Sequence, residues 1–240
     1  GWLDPYSLLQ ALRKKAQDQG VVYLEDEVVG VETTGGLVEA VSLRNRGRVP
    51  VGRLINATGP WAAHLAHLAG VPDFPVHPRK RFVYSVKAPD ELPGCPMVID
   101  PSGVYFRPEG DGFLCGVSPP PDADRDAQDL TMEYDLFHEV VWPTLARRVP
   151  LFDTLRLGSS WAGLYAYNTL DQNAILGPHP QVSNLYFANG FSGHGLQHSP
   201  GIGQALAEQV LFGEYRTVDL TRFSFQRFDE GNLVREENVV

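Results

Sequence analysis

The hydrophobic pattern along the chain changes its period several times, and each change marks an element. Leu8, Leu9, Leu12 and Ala16 recur at helical spacing behind Ser7, which can cap, and ahead of Gly20, which can stop the helix. From Val21 to Gly59 the period shortens to two. β-branched and polar residues alternate around "GG" and "RG", which predicts a meander of short strands. The last of them, "RLINATG", is more uniformly apolar, as a buried strand is, and runs into a predicted helix over Trp61 to Ala69. "GVPDFPVHP" then gathers three prolines, the composition of a crossover between domains.

Beyond the crossover, "KRFVYSVKAP", "MVIDPSGVYFRPEG" and "GFLCGVS" read as strands, with a turn at "EGDG" between the last two. A polar linker, "PPPDADRDAQDLT", leads to a predicted helix from Met132 to Arg148. "LRLGSSWAGLYAYNTLDQNAILGPH" and "NLYFANG" return to strand. The latter opens into "NGFSGHGLQHSPGIG", with five glycines in fifteen residues, and the amphipathic "IGQALAEQVL" follows directly as a helix. The order of elements predicts an α/β or α+β fold, and no internal repeat or low-complexity tract interrupts it.

The 240 residues exceed one average domain but fall short of two large ones, and 43% hydrophobic composition supplies a packed core. A net charge of -9 excludes a polyanion partner, because gripping phosphates needs clustered Lys and Arg; the one dense basic run is "HPRKRF", His77 to Phe82. Cys95 and Cys115 have neither metal nor CxxC spacing and are expected as reduced thiols. His64 and His67 stand three apart on a predicted helix without a third ligand, so no metal site is expected. No apolar run is long enough to predict a membrane-spanning helix.

Two stretches combine a strand, a small-residue turn and a helix: "NATGPW" at Asn56 to Trp61, and the loop from Asn189. Glycines 190, 193, 195, 201 and 203 let backbone N–H groups approach a ligand, and a helix start behind them presents free donors and the positive end of a dipole. Glycine count alone serves a ligand-cradling loop and a plain tight connection equally. Neither stretch is a phosphate loop with lysine or a GxGxxG fingerprint.

"INATGPWAAHLAHLAG", "WAGLYAYNTLDQNAILG" and "LYFANGFSGHGLQHSPGIGQALAEQVL", in this order and spacing, resemble the FAD-dependent amine oxidoreductases of the D-amino-acid oxidase and sarcosine dehydrogenase superfamily. "GWLDPYSLLQALRKKAQDQGV" resembles a helix of the same family preceded by a glycine and an Asp-Pro. The resemblance implies an incomplete FAD-binding Rossmann-like domain, residues 1–72 and 151–240, around an inserted substrate-binding domain of antiparallel or mixed sheet, residues 73–150, whose last strands extend to about 170. It assigns Ala57, Thr58, Gly59, Trp61, Gly163, Gly190, Phe191, Ser192, Gly193, His194, Gly195, Leu196 and Gln197 to the cofactor. Trp61 and Trp161 are read either as shields of the flavin or as ordinary core residues. The GxGxxG unit that holds the FAD pyrophosphate in this family has no counterpart here, so the chain is expected to be the C-terminal part of a larger flavoprotein, and by itself unstable and catalytically silent.

Amine oxidation on a flavin requires an anchored substrate, and a carboxylate is best anchored by an Arg fork with a Tyr hydroxyl. The candidates are Arg81 (with Arg79) and Tyr84, Arg107 with Tyr105, and Tyr165 or Tyr167; the alternative for each Arg is a solvated strand face. Strand alternation sets Arg79, Arg81 and Val83 on one face and Tyr84 on the other. His194 is read as a flavin contact or a proton acceptor, and His198 as part of the helix start. Gln197 stands where some relatives carry a lysine used in oxygen activation, which argues against a fast oxidase. Leu164 stands where others carry a flavin-linking cysteine, so noncovalent FAD is expected. The resemblance extends to a mitochondrial member linked to respiratory complex I assembly. It therefore implies a location in the matrix or on the matrix face of the inner membrane, with complex I subunits or assembly intermediates as partners beside a small amine or amino-acid substrate. Two functions follow: an amine-oxidising flavoenzyme, or a flavin-stabilised assembly factor with little turnover.

Overall fold

In the computed structural model, which describes residues 3–236, helices and strands are mixed in an α/β (α+β) arrangement. The chain forms two compact units. The first takes the chain up to Val76 and again from Asn168; the second is His77–Tyr167. The sequence had suggested divisions at 72/73 and 150/151. Gly1 and Trp2, which open the first family-like stretch, lie outside the described residues.

In the first unit, helix α1 (Pro5–Asp18) is capped by Asp4 and not by Ser7. Pro5 fixes the first helical residue, so the cap moves ahead of it; Asp4 Oδ1 accepts the Tyr6 N–H at 3.0 Å, and the Ser7 hydroxyl donates to Asp4. No residue of α1 is buried, and Leu9 and Leu12 on its apolar stripe are exposed. β1 (Val28–Thr34), β2 (Leu37–Leu43) and β3 (Gly47–Pro50) form the expected antiparallel meander. A second three-stranded sheet has the order β10-β11-β4, from Ile175–Pro178, Leu185–Asn189 and Leu54–Asn56. Within it β10 and β11 are antiparallel, whereas β11 and β4 are parallel. The predicted helix after β4 starts as one 3-10 turn, Gly59–Trp61, before α2 (Ala62–Leu68).

The final helix, α4 (Gly195–Phe212), begins well before the predicted start at Ile202. Pro200 lies inside it and cannot donate to the carbonyl of Leu196. The Ser199 hydroxyl makes good that loss, donating to the Leu196 oxygen at 2.9 Å. A local side-chain bond therefore carries the helix through a residue that reads as a stop. Phe74, Phe187, Phe225 and His179 pack together in the core of this unit.

The second unit holds one five-stranded sheet of order β6-β7-β8-β5-β9, from Val98–Ile99, Tyr105–Glu109, Gly112–Gly116, Val76–Lys87 and Arg156–Asn168. Its core gathers Phe82, Tyr84, Val86, Phe106, Phe113, Cys115, Phe137, Val141, Leu145 and Phe152. The predicted helix from Met132 is shorter than expected: a π-helical turn, Phe137–Val141, precedes α3 (Trp142–Arg148). Pro143 brings no N–H to this junction, and the Trp142 N–H reaches back to the Phe137 carbonyl. Cys95 and Cys115 are both free thiols. Among the described residues no helix is long and apolar enough to cross a membrane.

Candidate functional site

In the first unit, two loops leave the same end of one sheet. β4 and β11 are parallel neighbours, with Leu54 opposite Leu185 and Asn56 opposite Phe187. The turn after Asn56 and the loop after Asn189 thus follow the carboxyl ends of adjacent strands, where open α/β sheets bind ligands. Two buried asparagines tie the loops together. Asn56 Oδ1 accepts from the Thr58 hydroxyl at 2.8 Å and from Asn189 Nδ2 at 3.2 Å, while Asn56 Nδ2 donates to the Ala62 carbonyl at 2.9 Å. Asn189 Oδ1 is buried and receives no hydrogen bond.

The glycine-rich loop is built from behind. Ser192, wholly buried and at φ 47°, accepts the Asn168 N–H at 3.1 Å and donates to the Gly190 carbonyl at 3.3 Å. Asn168 is held in turn by Asp171, at 2.7 Å, and by the Asn173 carbonyl. Asp171 makes a two-point ion pair with Arg227, at 2.7 and 2.9 Å, in which both side chains are buried. Gly190 has φ 68°, and a Cβ there would lie 3.1 Å from both Asn168 and Val76. Packing, not ligand approach, demands that glycine. Ser192 likewise turns its hydroxyl inward, and Gly201 and Gly203 lie inside α4 with open space beside them. The sequence reading of five glycines as one ligand cradle is corrected to Gly193 and Gly195 at the loop's outer end.

At that outer end His194 takes the capping position of α4, and no side chain bonds its first-turn N–H groups. An eighteen-residue helix therefore offers uncapped donors and the positive end of its dipole beside the exposed Gly193 and Leu196. Ala57, Thr58 and Trp61 are exposed at the end of the neighbouring strand, with Gly59 half-buried. Phe191 is half-buried, and its ring lies against Gly195. His194 stacks on His198, with centroids 5.7 Å apart, and Gln197 is exposed. Uncapped donors, a buried amide oxygen without a donor, and apolar groups at the rim fit a flavin cofactor. Sequence reasoning missed Asn56, Asn168, Asp171 and Asn189. The signal was a polar residue ending each of two otherwise apolar strands, "LIN" and "LYFAN".

The second unit holds four of the catalytic candidates and Gly163, an exposed residue of β9. Tyr84 is in the core, its hydroxyl donating to the Glu133 carbonyl at 2.8 Å, so the structure separates it from Arg81 as strand alternation required. Burial raises the Tyr84 pKa. Arg81 lies over the ring of Tyr165, 5.1 Å from its centroid, and Arg79 over Tyr167 at 5.6 Å. Both terminal nitrogens of Arg81 bond Asp124, at 2.7 and 2.9 Å. Arg107 pairs with Glu109 and donates to the Pro108 carbonyl. Tyr105, on the same strand, lies over Gly116, where a Cβ would come within 2.7 Å of its hydroxyl. Burial first, and then the nearby Tyr165, pushes the Tyr105 hydroxyl up to about 12, so it remains a neutral donor. Burial likewise pushes the Cys115 thiol up to about 12.

Comparison with known proteins gives this geometry its context. The bovine (Bos taurus) FAD-dependent oxidoreductase domain-containing protein 1 is 43% identical over 274 residues, covering 100% of this chain and 56% of that protein. Its Drosophila melanogaster homolog is 32% identical, covering 95% of this chain and 50% of that protein. The crystal structure of L-proline dehydrogenase from P. horikoshii superimposes with a TM-score of 0.86 at 28% identity, covering 96% of this chain and 61% of that one. The chain thus spans little more than half the length of the curated relatives it matches. Residues 1–209 match the family model described as FAD dependent oxidoreductase, and the chain belongs to that family.

Proposed function

We propose that this chain carries the flavin-ring and substrate-facing portion of a FAD-dependent oxidoreductase that acts on amine or amino-acid-like substrates. The uncapped start of α4, beside a second loop at the end of the adjacent parallel strand, carries this reading. The likeness to L-proline dehydrogenase supports an amino acid or related amine as substrate. FAD supplies the two-electron acceptor. The chain's residues hold it noncovalently: the N–H groups after His194 face its electron-rich end, and Ala57 to Trp61 cover it from β4. Leu164 offers no thiol for a flavin link, and Cys115 is buried in the core of the second unit. On the substrate side, Tyr105, Arg107 and Tyr165 supply the polar groups that orient the amine.

A second reading draws on the same residues. Arg81 and Arg107 are already paired with Asp124 and Glu109, as in a site with little turnover. A flavin-stabilised assembly factor in mitochondria, at the matrix or the matrix face of the inner membrane and acting on complex I subunits, fits that pairing. Titration of the chain with FAD, read by flavin absorbance, tests the shared premise; a folded chain indifferent to FAD overturns it. Anaerobic addition of N-methylated amino acids to the flavin-bound protein separates the two readings. Bleaching establishes the enzyme, and an unbleached flavin across a broad panel favours the assembly factor.

A further inference from the structure

The basic stretch of β5 is covered by carboxylates from one acidic segment of the same chain. Asp124 takes both terminal nitrogens of Arg81, Asp126 pairs with His77 at 2.7 Å and Arg79 at 3.4 Å, and Asp129 pairs with Lys80 at 3.3 Å. A bridge between Arg79 and Asp126 and the bond from Ala127 N–H to the Pro78 carbonyl at 2.9 Å fix the segment two to three residues beyond Asp124. Arg81 is buried with 8% exposure, yet its Nε has no acceptor, and the same is true of Arg79 Nε. A structural ion pair that had evolved only for stability would leave no such donor unmet.

Asp124 also borders a cavity of 470 Å³, walled by Phe82, Pro119, Pro120, Ala123 and Leu136. A ligand carboxylate that took the place of Asp124 on the Arg81 fork would have room there for a small apolar body. The two-point geometry that Asp124 makes is the one a free carboxylate makes with guanidinium.

We propose that Asp124 is a built-in carboxylate occupying an acid-binding place on Arg81, and that a small monocarboxylate with an apolar body gains this place by displacing it. The segment around Asp124 then acts as a gate whose release is coupled to acid recognition. The choice of ligand rests on the amino-acid-like substrate proposed above. The test needs no flavin, so failure to bind FAD and failure of the gate are separate results.

Calorimetric titration of the whole chain with phenylacetate, with phenylacetamide as the uncharged control, is the measurement. Asp124→Asn removes the competing charge and should bind phenylacetate roughly tenfold tighter than the unaltered chain, the scale of one charged two-point contact. Adding Arg81→Gln to that variant should abolish the gain, and the amide should show none. A folded Asp124→Asn chain that binds no tighter, or a gain that survives Arg81→Gln, overturns the proposal. Should Asp124→Asn fail to fold, hydrogen exchange of the unaltered chain decides. Saturable acceleration at residues 122–128 by phenylacetate supports displacement, and exchange left unchanged up to the solubility limit overturns it.

Discussion

The two candidate regions treat their hydrogen-bond donors in opposite ways. At the start of α4, the first-turn N–H groups have no capping side chain, and the neighbouring Asn189 oxygen lacks a donor. At Arg81, both terminal nitrogens are already taken by Asp124. The first region is complete only when something binds; the second must give up an internal partner before anything can. A cofactor that stays and a ligand that comes and goes call for this difference. The open site needs no exchange, whereas the closed one makes entry of an acid conditional on losing an equivalent contact.

The contrast depends on the rigid back of the glycine loop, so the largest expected effect comes from breaking it. Asp171→Ala leaves Arg227 charged and unpaired in the interior and also takes a partner from Asn168. Loss of about 3–5 kcal/mol is expected, the usual result of removing one partner of a buried pair. Urea unfolding measures it; a loss within surface-mutation range would show that the pair does not hold the loop.

A smaller effect sharpens the same point. Gly190→Ala forces a side chain into left-handed backbone and places its Cβ 3.1 Å from Asn168 and Val76. Destabilisation of about 2–3 kcal/mol is expected in the absence of any cofactor. If stability is unchanged and only FAD affinity falls, this glycine serves the ligand after all.

The smallest effect concerns pH. His179 is buried, and its Nδ1 accepts the N–H groups of Gln181 and Val182 at 3.2 and 3.1 Å. Burial holds its pKa below the ordinary histidine value, against a weaker opposing pull from Asp229. The unfolded chain therefore takes up the proton first. The stability contribution is complete above the unfolded value of about 6.5 and is lost as pH falls through the lower folded value. Unfolding free energies measured from neutral to mildly acid pH should decline with this sign, and His179→Gln should remove that part of the decline.

Much of this was legible in local pattern. Period-two alternation announced the meander β1–β3 and separated Tyr84 from Arg81, since side chains two apart on a strand share a face whatever surrounds them. The small-residue turns after "LIN" and "LYFAN" announced both loops. The start of α4 was misread because Pro200 and two glycines argue against helix. Their cost is met by one hydroxyl, that of Ser199, and by a loop held in place from Asn168. The reading of Gly190 failed for a related reason: what crowds its missing side chain comes from Val76, far away in the sequence.

The sequence alone determined the order of elements, the flavin family and the two turns that face its cofactor, because these are written in residues close together along the chain. Only the tertiary structure decided that the turns emerge from adjacent parallel strands, that Asp171 and Arg227 anchor one of them, and that Arg81 belongs to Asp124. Those partners lie 56 and 43 residues apart in sequence. No local periodicity specifies which of many carboxylates a buried guanidinium will meet. That choice is made when the chain closes and each charge leaving water must find the partner that packing brings to it.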